Sequence, residues 1–251
     1  MRDHGDGASI GPAQGPEDRD RRAPFGTLLA ALIVFILLIP IVGTSDLGGS
    51  LLRVGFTLVL VAGLWVANEG RKVLAVTAAL VLANLLAQWL AREILDEELD
   101  ETLLKASLSA VYLAVLTGSL LRTLVRERSA SSDTIMGGIN VYLLIALTFA
   151  ELHIVTECLA PGSYQQGGVA LLERLGESAQ GLHTSFVYFS FVTLTTLGYG
   201  DVVPATPSAQ FLSATEAVVG QLYVAILIGG LVALWIGGRA AGSAPAVERE
   251  R

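Results

Sequence analysis

The sequence predicts an all-α membrane protein: six membrane-crossing helices, with one short re-entrant segment between the fifth and the sixth. Three observations carry that prediction. The 251 residues are 53% hydrophobic and only 16% charged, against about 25% charged in soluble domains. Six apolar runs are each long enough to cross a hydrocarbon core about 30 Å thick. A further apolar, aromatic stretch, Thr184 to Leu194, reaches only about half that depth at 1.5 Å per residue, so it enters and leaves by one face. Mean hydropathy is +0.62.

Residues 1–24 are rich in Gly, Pro, Asp and Arg. They cannot bury a core and read as a disordered cytoplasmic N-terminus. The first run is Phe25 to Val42. A Gly-rich turn leads to the second, Leu51 to Asn68, and a polar loop ending at Lys72 leads to the third, Val73 to Leu90. The acidic loop Glu93 to Glu101 precedes the fourth, Leu103 to Val125. Residues 25–130 thus form a four-helix transmembrane domain. The connector Arg126 to Asp133 opens a second domain, residues 131–238. It holds the fifth run (Ile135 to Glu157), a Gly-rich outer segment (Leu159 to Leu182), the half-helix and the sixth run (Pro207 to Ile236). Thr184 or Ser185 is the expected cap of the half-helix. Thr206 and Pro207 supply a capping hydroxyl and a first-turn proline for the sixth run. Residues 239–251 form a polar cytoplasmic tail.

Lysine and arginine placement orients the chain. With both termini cytoplasmic, the inner side holds Arg2, Arg19, Arg21, Arg22, Arg71, Lys72, Arg122, Arg126, Arg128, Arg239, Arg249 and Arg251. The outer side holds only Arg53, Arg92, Lys105 and Arg174. That bias places Asp201 outside, in a multi-pass protein of the cell (plasma or inner) membrane. Trp65, Trp89 and Trp235 fall near run ends, where either an interfacial belt or ordinary helix packing would put them. The one cysteine, Cys158, excludes an intrachain disulfide and a multi-cysteine metal site; it is a free thiol or a bridge between subunits.

Between the half-helix and the sixth run stands Thr193-Leu194-Thr195-Thr196-Leu197-Gly198-Tyr199-Gly200-Asp201. Glycine turns its carbonyl in directions that other residues reach only with strain. Residues 196–200 could therefore hold a run of carbonyls facing one way, able to replace the water around a small cation. This stretch, with Tyr188 to Val192 before it, resembles the potassium-channel signature Thr-x-Gly-Tyr-Gly-Asp, with Leu197 where Val or Ile is usual. The resemblance implies a selectivity filter: K+ held by the carbonyls of Thr196, Leu197, Gly198 and Tyr199 with the Thr196 hydroxyl, and Gly200 completing the run. It also implies support from Thr195, a Tyr199 ring turned off the ion path against the pore helix, and Asp201 anchoring the outer end. Because one strand cannot surround an ion, four identical chains must meet, so each subunit has three identical partners besides membrane lipid. The two-pore-domain channels, whose local wording is close, carry two such segments per chain; this chain carries one. No catalytic residue, resident cofactor or nucleic acid is expected, only the permeant K+.

Other residues keep two readings. Gly220 matches the family's inner-helix hinge position, or is a small residue for close packing; Gly229 and Gly230 are an alternative flexing point. Glu216 is either a contact behind the filter that tunes gating or a hydrogen-bonded packing residue, and Glu151 poses the same question. His153 and His183 are pH sensors or structural. The acidic cluster Asp96, Glu97, Glu98, Asp100 and Glu101 concentrates cations or is a solvated loop. The first four helices match a voltage sensor in layout only. Ala106 to Leu121 carry no charge, whereas each gating charge is worth about 2.3 kcal/mol per 100 mV, so weak or absent voltage dependence is expected. Competing functions are a less selective monovalent cation channel, a transporter, which would show two related halves, and a membrane enzyme. Glu151, His153 and Glu157 come nearest to a catalytic cluster but do not share one helix face.

Overall fold

The computed structural model of the chain describes residues 24–41, 46–66, 71–95, 98–126, 132–176, 178–230, 232–233 and 236. The tail, most of the N-terminal segment, Asp96, Glu97 and Trp235 lie outside the described residues, as do the side chains of Trp65 and Trp89.

Five helices come first: α1 (Pro24–Ile41), α2 (Asp46–Val66), α3 (Arg71–Ile94), α4 (Glu98–Arg126) and α5 (Ser132–Leu159). α4 packs along α5 and α3, and α1 packs on α2 and α5. The shared core is built from Leu28 and Leu32, Val59 and Leu60, Leu113, Leu116 and Leu120, and Val141 and Leu144, all essentially buried. On α4 the buried positions recur every three or four residues, as one helix face requires. The outward faces are apolar too. Leu51, Val54, Leu58 and Val61 make an exposed stripe along α2, and Leu82 and Leu86 continue it on α3. Water-facing helices carry polar residues there; a lipid-facing surface does not, and this is a membrane protein's exterior. α4 over Leu99–Arg126 and α5 over Asp133–Leu159 are long and apolar enough to cross a bilayer, while α1, α2 and α3 carry shorter apolar stretches.

Polar side chains inside this layer bind other helices. Ser109 Oγ donates to Asn84 Oδ1 at 2.9 Å, Tyr112 Oη to the Leu60 carbonyl at 2.6 Å, and Asn140 Nδ2 to the Phe25 carbonyl at 2.8 Å. Such bonds each stabilise a bundle in lipid by roughly 0.6–2 kcal/mol.

After α5 the chain departs from the all-helical expectation. The segment read as a Gly-rich outer loop forms β1 (Tyr164–Gln166), β2 (Val169–Ala170) and a short helix α6 (Leu171–Leu175). Gly167 and Gly168, at φ 62° and 80°, make the two-residue turn that joins antiparallel strands with the right twist. β1 also pairs antiparallel with β3 (Val202–Pro204), Gln165 facing Val203, giving the order β2-β1-β3. Between these strands lies α7 (Ala179–Leu194), and after β3 comes α8 (Pro207–Leu222), which runs into a π-helical turn, Tyr223–Ile228.

Gly63 of α2 marks a close helix contact. A Cβ there would lie 2.5 Å from both Leu116 Cδ2 and the Tyr112 hydroxyl, and both side chains are fully buried. Overpacking of this kind costs about 1–3 kcal/mol. Gly63→Ala should therefore lower the thermal midpoint of the purified chain in detergent. Gly118→Ala, where nothing lies within 4 Å, should leave it unchanged or raise it.

Candidate functional site

α7 positions the site. Its cap lies six residues before Thr184, the earlier of the two expected caps: Ser178 is the N-cap, its hydroxyl accepting the Gly181 amide at 3.3 Å. Gly181, part of the Gly-rich segment in the sequence, lies in the first turn of α7, where an added Cβ would come within 3.3 Å of Leu175 Cδ2. The buried face of α7 sets Phe186 and Phe189 against Tyr164 of β1, edge to face at 4.8 and 5.5 Å, the arrangement aromatic quadrupoles favour. The His153 ring lies edge-on to Phe189 at 5.0 Å.

The strand leaving α7 has an alternating backbone. Thr195 ends the helix at φ −80°, ψ −1°. Thr196, Gly198 and Gly200 then take φ of 57°, 57° and 75°, while Leu197 and Tyr199 between them do not have positive φ. Alternating hand at every second residue turns successive peptide planes the same way instead of opposite ways. The amides turn back toward the helix: Thr196 N donates to the Thr193 carbonyl at 2.9 Å, and Leu197 N and Gly198 N donate to the Val192 carbonyl at 2.9 and 3.4 Å. Among the described residues, no backbone amide donates to the carbonyls of Thr196, Leu197, Gly198 or Tyr199. A threonine at positive φ is strained by roughly 1 kcal/mol or more. Its hydroxyl is held at both ends, donating to the Thr195 carbonyl at 2.7 Å and accepting from Gln221 Nε2 of α8 at 3.1 Å. Asp201 lies near the Tyr188 hydroxyl of α7. Tyr199 is 66% exposed and Leu197 55%, so within one chain the Tyr199 ring is not packed against α7. The sequence reading missed Gln221 altogether and quoted Tyr188 only as part of a motif.

Behind the strand lies a buried polar chain drawn from four elements. Glu216 of α8 accepts from the Ser190 hydroxyl of α7. Its other oxygen lies 2.8 Å from His153 Nε2 of α5, and His153 Nδ1 lies 2.6 Å from the Tyr164 hydroxyl of β1. One proton per group closes the chain: Tyr164 O–H to Nδ1, Nε2–H to one Glu216 oxygen, Ser190 O–H to the other. The Ser190 hydroxyl also lies 2.6 Å from the Ala146 carbonyl. Glu216 is thus a buried, hydrogen-bonded residue that links α8 to α5 and α7. His153, with both nitrogens occupied and no exposure, is structural. Glu157 caps the turn after α5, its carboxylate accepting the Gly162 and Tyr164 amides at 3.0 and 2.9 Å.

Gly220 lies where α8 meets the end of α7. A Cβ there would fall on the Leu194 carbonyl, so a small residue is required for the contact. Three residues on, Tyr223 begins the π turn and its hydroxyl donates to the Gly138 carbonyl of α5 at 2.6 Å. Single π turns cluster at functional positions. Cys158 is half-buried and free. Among the described residues, no group of three or more His, Cys, Asp or Glu could hold a metal.

Glu216→Leu would strand the His153 N–H without an acceptor, at about 1–3 kcal/mol for a buried group, while the Ser190 hydroxyl keeps the Ala146 carbonyl. The substitution should lower the thermal midpoint of the purified chain well below that of Glu216→Gln, which retains an acceptor oxygen.

A family model described as "Ion channel" matches residues 164–235, the span from β1 through α7 and the alternating strand to the end of α8 and beyond. A 46-residue stretch is 48% identical to "Two pore potassium channel c" of Oryza sativa subsp. japonica, covering 18% of this chain and 10% of that protein. The chain thus spans about one tenth of the curated relative it matches. No solved structure matches. Over residues 164–235, which hold α7, the alternating strand and α8, the chain is thus similar to ion-channel segments.

Proposed function

We propose that the chain is a subunit of a potassium-selective channel, conducting K+ passively through a homotetrameric pore with weak or no voltage dependence. The observation that carries this reading is the strand Thr196–Gly200, whose alternating φ values and back-turned amides leave four carbonyls without donors. Four such strands around an axis would supply rings of oxygens in place of the K+ hydration shell. The name of the Oryza sativa relative points to the same ion.

On this reading α7 is re-entrant. Sixteen residues span about 24 Å, short of the hydrocarbon core, and the helix lies buried between α5 and α8. Its C-terminus directs partial negative charge toward the middle of the membrane, where it favours a cation. α1 to α5 and α8 are then the six crossings, with both termini cytoplasmic by the basic-residue bias and the strand at the outer face of the cell membrane. A neighbouring chain would cover Tyr199 and Leu197. Gly220 and the adjoining π turn would let the inner end of α8 bend, and Glu216 would set how firmly α8 holds α7. α4 lacks charge between Lys105 and Arg122, so the first four helices support the pore without sensing voltage.

Potassium against sodium flux in liposomes tests the reading. Wild type should pass K+ at least tenfold faster than Na+. Gly198→Ala should abolish K+ flux. No atom lies within 4 Å of its Cβ position, so the loss would come from forcing alanine into positive φ, at about 1–2 kcal/mol per strand. Equal flux in the two salts would replace potassium selectivity with a general monovalent cation pore, the outcome that Leu197 would explain. Across ±100 mV the open probability should change only weakly; steep voltage gating would contradict the uncharged middle of α4, residues 106–121.

A further inference from the structure

Gln221 is a polar side chain in an apolar stretch. Between Glu216 and Ile228, along α8 and the π turn, only Gln221 and Tyr223 carry polar side-chain groups. Tyr223 is buried and spends its hydroxyl on the Gly138 carbonyl. Gln221 is exposed in the single chain, and its amide reaches the strand instead: Nε2 lies 3.1 Å from Thr196 Oγ1. The residue before it puts it there. A Cβ on Gly220 would fall on the Leu194 carbonyl oxygen, so α8 meets the end of α7 backbone to backbone at this point. The next side chain on α8 then faces the first residue of the strand.

A threonine hydroxyl has one proton to give and two lone pairs to offer. Thr196 gives its proton to the Thr195 carbonyl at 2.7 Å. The group facing it from α8 must therefore be a donor, which fixes the Gln221 amide with Nε2 toward the strand. One lone pair takes that N–H, and the other stays open. The Thr195 carbonyl is occupied by the hydroxyl, so the run of carbonyls without donors begins at Thr196. Among the described residues Thr196 is also the one non-glycine at positive φ, 57°, a conformation held only against strain. We propose that Gln221 is a positioning residue for the ion path: its amide holds the Thr196 hydroxyl and backbone so that the first ring of oxygens from four strands keeps the spacing that suits K+. The proposal rests on the potassium-channel reading above and names the residue that sets the inner end of it. Without the N–H, Thr196 can relax to negative φ. Its carbonyl then swings out of line, and its hydroxyl loses a fixed orientation. Discrimination between ions of one charge depends on the number and placement of such oxygens, so it weakens.

The test is Gln221→Met in the full chain, which keeps the length of the side chain and removes the N–H. Two readouts are taken in planar bilayers: K+ against Na+ permeability from reversal potentials, and block by Ba2+ from the cytoplasmic side. Ba2+ nearly matches K+ in size and carries twice the charge, so it lodges where oxygens are spaced for K+. From that side it meets the Thr196 ring first. Gln221→Met should lower the permeability ratio and raise the Ba2+ block constant, each about tenfold, the scale of one lost hydrogen bond. Gly63→Ala, which disturbs a helix contact in α2, should lower the thermal midpoint and move neither readout. Gln221→Asn, too short by one methylene, carries the test should the Met variant fail to fold. A variant that folds without conducting is read by calorimetric Ba2+ binding to the purified protein, where the same loss of affinity is expected. Wild-type values in a folded variant, or equal shifts in Gly63→Ala, would overturn the role of Gln221 and leave the channel reading standing. Wild type that passes K+ and Na+ equally would remove that reading, and the proposal with it.

Discussion

A carbonyl that accepts no hydrogen bond is expensive wherever water is scarce, and a polypeptide ordinarily arranges its peptide planes to avoid it. The region after α7 is organised so that this cost is accepted four times in succession. Glycines at 198 and 200 permit the alternate hand. The Val192 carbonyl draws two amides to the helix side, and the Thr196 hydroxyl, held between Thr195 and Gln221, fixes the first turn. Most of the surrounding structure keeps this arrangement from relaxing into an ordinary turn. The aromatic packing of Tyr164, Phe186 and Phe189 fixes α7, the sheet fixes the chain beyond Asp201, and the contact of Gly220 with Leu194 fixes the junction with α8.

The acidic residues of α5 and α8 show how a largely apolar layer tolerates carboxylates. Glu157 takes backbone amides at a helix end, where donors are plentiful. Glu216 takes side-chain donors from α5 and α7 and so joins three helices and a strand at one point. In a medium that gives apolar side chains no reason to prefer one neighbour over another, such bonds specify which helices meet. Glu151 sits at a third kind of place, beside a cavity, with one fully buried oxygen that meets no donor among the described residues.

The large elements were legible because bilayer thickness sets a length that apolar runs display directly. The start of α8 was legible from Thr206 and Pro207, whose hydroxyl and ring act within one turn. The start of α7 was not: Thr184 and Ser185 offered caps as good as Ser178, and the helix begins earlier, inside the Gly-rich segment. The sheet was hidden because its strands are two or three residues long; the Gly167-Gly168 pair was its one local sign. The glycines of the alternating strand could be read one residue at a time. The chain from Tyr164 to Ser190 could not, since His153 and Glu216 are far apart in sequence and nothing local to either names its partner. Comparing Glu151, His153 and Glu157 along one helix missed that His153 bonds outward, to α8 and β1.

Within one chain the alternating strand takes its hydrogen bonds from Val192, Thr193, Thr195 and Gln221. A chain that forms these contacts by itself would enter an assembly with its strand already folded. On the four-fold reading this has a genetic consequence. A subunit with a spoiled strand would keep its docking surfaces, enter tetramers as readily as a sound one, and silence the three partners it joined. Lesions in residues 196–200 would then behave as dominant, whereas lesions that unfold α1 to α5 would remove the chain from assembly and behave as recessive.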